Sequence, residues 1–194
     1  MEKMILTDAD GVLLNWEFAF DCWMEARGHK KIRSDCYDMA LSYGVEKEEI
    51  RRSIKLFNES AAIGFLPPHR DAMHYVKRLH EEHGFVFRVI TSLSLDPYAQ
   101  KLRAKNLKKL FGTAIESVIC LDTGADKDEA LAPYEGSERF WIEDKVENAE
   151  VGAQLGLTTL LMEHRHNMDY AGVYPIQTVV SWKDIYEIVT GESA

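Results

Sequence analysis

Met4-Ile5-Leu6-Thr7-Asp8-Ala9-Asp10-Gly11-Val12 is a short apolar run that ends in two aspartates separated by one alanine and followed by a glycine. A continuous apolar run bounded by a turn residue reads as a buried strand ending in a turn. Both carboxylates then stand at the carboxyl end of a strand, where open α/β sheets place their ligands. Carboxylates this close repel each other unless a cation or a proton lies between them. The pair points to a Mg²⁺ site, to a nucleophile with an acid–base partner, or to both. A surface turn rich in Asp and Gly explains the same residues, so what decides lies further along the chain.

The 194 residues, 46% of them hydrophobic, suit one globular domain with room for an insertion. A net charge of −9 argues against gripping a nucleic-acid polymer. It is compatible with a small anionic substrate, because a bound metal and a few local cations set the field of a site. No signal peptide and no apolar run of membrane-spanning length is visible, so a cytoplasmic protein without a membrane partner is expected. Cys22, Cys36 and Cys120 are odd in number and show no CxxC spacing, which reads as reduced thiols.

Six apolar runs have the length of buried strands: Met4–Thr7, 85–91, 118–121, 140–142, Thr158–Met162 and 178–180. Between them, residues 71–83 carry Ala72, Val76 and Leu79 at helical spacing and end at Gly84. Asp96-Pro97 is an N-cap followed by a first-turn proline, and 148–155 ends at Gly156. Strand–helix alternation from Asp71 onward predicts a Rossmann-like, mostly parallel sheet with helices on both faces. Residues 15–66 break this rhythm. They hold helical patterns at 16–27, 35–43 and 46–60, with Pro67-Pro68 closing the segment. The expected division is a core of 1–14 and 67–194 and a helical cap of 15–66 above the carboxyl ends of the strands.

Three later features join the aspartate pair. Val89-Ile90-Thr91-Ser92 is an apolar run ending in hydroxyl residues, and such an end can hold a phosphate oxygen. Lys127 opens an acidic helix start, against the usual dipole preference, which suggests a task for its charge. Phe140-Trp141-Ile142-Glu143-Asp144 is a strand ending in acids, and its Asp144 is placed to ligate a metal. Asp8, the Asp10 carbonyl and Asp144 suffice for Mg²⁺, which completes its shell with water and substrate phosphate.

These four pieces, in this order and each at a strand end, resemble the haloacid dehalogenase-like superfamily over nearly the whole chain. The resemblance implies a Mg²⁺-dependent phosphatase in which Asp8 attacks phosphorus and Asp10 is general acid and base. Thr91, Ser92 and Lys127 would bind the phosphoryl group. Many members carry a second acid one turn after the last motif; here that position is Asn148. Leu66-Pro67-Pro68, Asp96-Pro97-Tyr98, His166-Asn167 and Ser181-Trp182 look like the 5′(3′)-deoxyribonucleotidase group. That narrower resemblance implies a nucleoside monophosphate; Trp16 and Phe18, the aromatics nearest Asp10 in the sequence, are the expected contacts for its base.

Other groups carry ordinary expectations. His69, His74, His80 and His83 have poor spacing for one helical face and read as solvated. His164-Arg165-His166 reads as a surface loop near the site. The helix with Lys101, Arg103, Lys105, Lys108 and Lys109 reads as a solvated basic face. The competing functions are a receiver-like module with a phosphorylatable aspartate, an inactive relative, and a phosphatase for a non-nucleotide metabolite. Receiver modules lack an acid two residues after the first and lack the long insert.

Overall fold

In the computed structural model, which describes residues 3–33 and 38–193, every strand expected from the sequence is present. Cys36 and the start of the helix expected over 35–43 lie outside the described residues. The strands are β1 (Met4–Thr7), β2 (Val86–Ser92), β3 (Ile115–Leu121), β4 (Phe140–Glu143), β5 (Thr158–Met162) and β6 (Gln177–Val179). They form one sheet in the order β3-β2-β1-β4-β5-β6, and every pairing is parallel. The chain first builds outward from β1 through β2 to β3. It then returns to the other side of β1 and builds outward again. Between β1 and β4 the winding reverses, which opens a crevice at the strand ends.

Both faces are covered. Ile5 of β1 joins Phe87, Val89 and the helices α4 (Ala72–Glu81), α5 (Pro97–Phe111) and α8 (Trp182–Thr190) in the larger core. Its neighbours Met4 and Leu6 point to the other face, with Ile90, Trp141 and the helices α6 (Asp128–Leu131) and α7 (Val146–Gln154). This is strand alternation with both faces buried, and it explains why β1 is apolar throughout. Gly152 of α7 has a packing reason: a Cβ there would lie 2.3 Å from the Trp141 ring.

The segment after β1 is helical, with α1 (Trp16–Glu25), α2 (Met39–Tyr43) and α3 (Lys47–Asn58), then a 3₁₀ turn at Ala61–Phe65. Its interior is aromatic. Phe20 stacks on Trp16 at 4.7 Å between ring centres and meets Phe57 edge-on at 5.4 Å. The insert is tied to the sheet by a relay: the Trp16 indole N–H donates to Asn58 Oδ1 at 2.9 Å, and Asn58 Nδ2 donates to the Leu93 carbonyl at 3.0 Å.

Two sequence expectations change here. His69, expected in solvent, is buried, and neither ring nitrogen has a hydrogen-bond partner among the described residues. Its backbone N–H donates to the Leu13 carbonyl at 2.8 Å, which pins the end of the insert beside the β1 turn. His80 and His83 are half-buried and bonded to Phe85 and Tyr186, whereas His74 is exposed. The helix α8 was not expected, although Ser181 and Asp184 form a capping box at its start.

The N-terminus of α8 depends on a distant acid. Asp71 accepts the N–H groups of Trp182 at 2.9 Å and Lys183 at 3.1 Å. Loss of such a cap costs about 0.5–2 kcal/mol. Asp71→Ala should therefore lower unfolding stability by about 1–2 kcal/mol in a urea titration, with an unchanged slope. An unchanged midpoint would show that water serves those N–H groups equally well.

Burial pushes His69 from 6.5 down to about 3, with the charges of His164 and Arg70 acting in the same direction. The unfolded chain takes up this proton as pH falls past 6.5, while the folded one stays neutral until about 3. The stability is therefore complete above that upper value and declines as pH falls through the window, by up to about 1.4 kcal/mol per pH unit. His69→Gln should flatten the fall in Tm between neutral and acidic buffer. Parallel Tm curves for the two proteins would refute it.

Candidate active site

The turn after β1 is held from beneath. Asp8 donates its backbone N–H to the Ile142 carbonyl at 2.8 Å, so the β1–β4 pairing continues into the site. This sets Asp8 beside the end of β4. The Asp8 Oδ1 atom accepts the Ala9 N–H at 2.7 Å and lies 2.9 Å from Lys127 Nζ. Lys127 also donates to Glu143 Oε2 at 2.6 Å. Both lone-pair directions of Oδ1 are thus taken, while Oδ2 accepts from no protein donor among the described residues.

Asp8, Glu143 and Asp144 each offer an oxygen within 4.8 Å of the others. Burial and the charge of Asp8 push Glu143 up to about 7, against the pull of Lys127. Asp144 is raised by burial first and then by Glu143 and Asp8. Lys127, only 1% exposed, is held above its ordinary value because the attraction of Asp8 and Glu143 outweighs its desolvation. Three acids beside one buried lysine form a hard-oxygen donor set for a divalent cation. Glu143 differs from the other two: its Oε1 accepts the N–H groups of Asp144 and Lys145, both at 3.1 Å. It anchors Lys127 and the turn, which leaves Asp8 and Asp144 as the two carboxylates of the set with capacity for a cation.

Gly11 is required by this packing. Its φ is +73°, and a Cβ would fall 2.2 Å from Asp144 Oδ2. The loop after β5 closes over the same place. Asn167 Nδ2 donates to the Asp144 carbonyl at 2.7 Å, and His164 Nε2 lies 2.8 Å from the Gly11 carbonyl. His164 and His166 line the cleft, so the loop expected at the surface near the site forms part of its wall.

The cleft encloses about 900 Å³. Asp8, Asp10 and Lys127 form its floor, while Trp16, Ile54 and Asn58 of the insert face them. Asn148 of α7 also lines it. Of the two hydroxyl residues ending β2, Ser92 reaches the cleft, where its Oγ donates to the Ala125 carbonyl at 2.8 Å. Thr91 is fully buried outside the lining, and its hydroxyl has no partner among the described residues. Phe18 is 57% exposed and does not line the cleft, whereas Trp16 does. Two positions on, the helix has turned Phe18 away from the face that Trp16 presents.

Asp10 holds the largest surprise. Arg103 of α5 meets it with a two-pronged contact, Nη1 to Oδ1 at 2.5 Å and Nη2 to Oδ2 at 3.0 Å. Arg103 is completely buried, so the expected solvated basic face is wrong at this position. Ala99, Arg103, Leu107 and Phe111 recur every four residues and are all buried. That period was visible in the sequence and places Arg103 on the inner stripe. Burial raises the Asp10 carboxyl above its ordinary value, and Arg103 opposes this.

No family model matches the chain. A 32.4 kDa protein from the Gp30–rIII intergenic region of Enterobacteria phage T4 is 24% identical over 196 residues, covering 95% of this chain and 69% of that protein. Among solved structures, an L-2-haloacid dehalogenase from Xanthobacter autotrophicus with chloropropionic acid covalently bound has a TM-score of 0.61 at 12% identity, over 98% of this chain and 99% of that one. CbbY from Rhodobacter sphaeroides, in complex with phosphate, has a TM-score of 0.58 at 16% identity, over 94% and 95%. A hydrolase of the same superfamily from Deinococcus radiodurans, with bound phosphate and sodium, has a TM-score of 0.56 at 16% identity, over 98% and 96%. Likeness at such identities speaks to architecture, and the architecture is the haloacid dehalogenase-like hydrolase fold.

Proposed function

We propose that this protein is a Mg²⁺-dependent phosphatase acting on a small phosphate monoester. The observation that carries this reading is the pairing of Asp8 with a second acid, Asp10, on the floor of one cleft. An alkoxide is a poor leaving group and needs a proton as it departs, which an adjacent acid supplies. A halide needs none, so Asp10 favours phosphoester cleavage over the dehalogenation performed on the same fold. Asp10 and the insert likewise count against a receiver-like module.

In this mechanism Asp8 Oδ2 attacks phosphorus. The bond from phosphorus to the ester oxygen breaks, and that oxygen takes a proton from Asp10. The resulting aspartyl-phosphate is attacked by water, whose proton passes to Asp10. Inorganic phosphate leaves, and the Asp8 carboxylate is restored. Lys127 and the backbone and hydroxyl of Ser92 offset phosphoryl charge, with Thr91 supporting the strand end from within. Asp8 and Asp144, with the Asp10 carbonyl, would hold Mg²⁺, which when bound supplies further charge stabilisation. Residues 15–66 act as the cap over a core of 1–14 and 67–194 and limit access of bulk water. The acidic surface favours a free metabolite over a polymer or a membrane as partner.

The decisive test is turnover of an aryl phosphate. Wild-type protein should hydrolyse it with Mg²⁺, lose activity in chelator and regain it when Mg²⁺ is restored. Ca²⁺ should inhibit, because its looser coordination spoils the in-line geometry. Asp8→Asn should abolish turnover and acid-stable labelling by phosphate while keeping its Tm. Full activity of a folded Asp8→Asn protein, or in chelator, would sink the mechanism.

For the substrate, the cleft volume and Trp16 favour a nucleoside monophosphate. A stacked base is worth about 1–3 kcal/mol. Trp16→Leu should lower kcat/KM for a nucleoside monophosphate by about tenfold more than for a phosphate without a base. Phe18→Ala should change neither. Equal losses with both substrates would make Trp16 a packing residue, and no nucleotide turnover at all would remove the nucleotidase reading alone.

A further inference from the structure

We propose that Arg103 is a positioning residue for Asp10, a role that rests on the phosphatase reading above. Its guanidinium reaches from α5 to the site and grips both oxygens of the Asp10 carboxylate. Among the described residues Asp10 is its only ion-pair partner, and its Nε atom, also buried, has none. A fully buried arginine is costly to desolvate, and an apolar side chain would pack this stripe of α5 at least as well. The lysines at 101, 105, 108 and 109 on the same helix all face solvent, which isolates position 103 as the exception.

The chemistry explains why a fork is useful here. Asp10 lies in the turn after β1, beside Gly11, where its backbone bridges only to Leu14 and the sheet does not fix the plane of its carboxylate. Its carboxylate must nevertheless meet a departing oxygen at hydrogen-bond distance. A planar guanidinium bonded to both oxygens fixes the plane and depth of the carboxylate, which a lysine ammonium, a point charge, does not. Small displacements of a catalytic group are expensive in rate, so fixing this plane acts on the proton-transfer step. Arg103 itself lies behind Asp10 and outside the cleft lining, so it acts through Asp10 rather than on substrate.

The test compares two leaving groups. A nitrophenyl phosphate releases a stabilised phenolate that needs little protonation, whereas an alkyl phosphate releases an alkoxide that needs the acid. kcat/KM reports only the steps up to departure of the leaving group. Arg103→Met should reduce kcat/KM for the alkyl phosphate by about tenfold or more beyond its effect on the aryl phosphate. In an Asp10→Asn background the same substitution should have no further effect on residual aryl hydrolysis, because its target is gone. Arg103→Lys keeps the charge and guards against misfolding of the Met variant; it should show the same bias toward loss on the alkyl substrate. Equal losses on both substrates in a folded variant, further loss in the Asp10→Asn background, or wild-type rates for Arg103→Lys would overturn the proposal. Absence of wild-type turnover on both esters would overturn the phosphatase reading and the role of Arg103 with it, a result distinct from all of these.

Discussion

Lys127 is buried to 99% of its surface between Asp8 and Glu143, and the arrangement of acids around the sheet crevice depends on it. Two like charges 4 Å apart repel by about 4 kcal/mol at the effective dielectric of a protein surface. Asp8, Glu143 and Asp144 crowd within such distances, so three buried carboxylates without a cation would drive the strand ends apart or take up protons. The lysine supplies part of the missing charge, and its ammonium lies 5.2 Å from the Trp141 ring centre, which closes the other side. The cluster is left with more carboxylates than cations, a donor set of the kind the proposed Mg²⁺ would take.

Everything around this cluster limits movement. The Asp8 N–H continues the β1–β4 ladder, and Trp182 donates its indole N–H to the Val12 carbonyl at 2.8 Å. The turn between them, with Gly11 pressed on Asp144, is therefore bounded by the sheet on one side and α8 on the other. The insert that faces the reacting groups is seated on the core by more than the Trp16–Asn58–Leu93 relay and the Pro67–His69 return: Asn106 Nδ2 of α5 donates to the Leu66 carbonyl at 3.1 Å, and Ser94 Oγ donates to Glu59 Oε1 at 2.8 Å.

Much of this was legible in the residues. Continuous apolar runs marked all six strands within a few residues; for β1, β4 and β5 the reason is that a strand buried on both faces needs no polar alternation. The Asp8-Ala9-Asp10-Gly11 turn, Lys127 and Asp144 converge as their strand-end positions implied. What was missed depended on contacts between distant segments. The capping of α8 by Asp71 joins parts of the chain that no local pattern links. His69 and His164 are drawn inward by the return of the insert and by the Gly11 carbonyl. Of Thr91 and Ser92, both expected at the phosphoryl group, only Ser92 reaches the cleft, because a single step along a strand flips the side chain to the other face. Arg103 was hidden by its lysine neighbours, although its four-residue spacing from Ala99 and Leu107 betrayed the inner stripe. Phe18 was judged by nearness in sequence, where helical phase was the better guide.

The strand order has a consequence for how the molecule comes together. β1 emerges first but lies in the middle of the sheet, flanked by β2 and β4. Its pairing with β2 waits for the whole helical insert, and its pairing with β4 waits for residues near 140. Closing such long loops exacts its entropy before the contacts reward it, and parallel, non-local pairings are slow to form. The half-sheet β1–β2–β3, with α4 and α5 on its face, is the more local unit and the natural one to form early. Asp10 and Arg103 belong to that half, whereas Glu143 and Asp144, the acids beside Asp8, come from β4 and the turn after it. The acids that repel one another are thus contributed from opposite sides of the point where the winding reverses, and they meet only where the two halves of the sheet join.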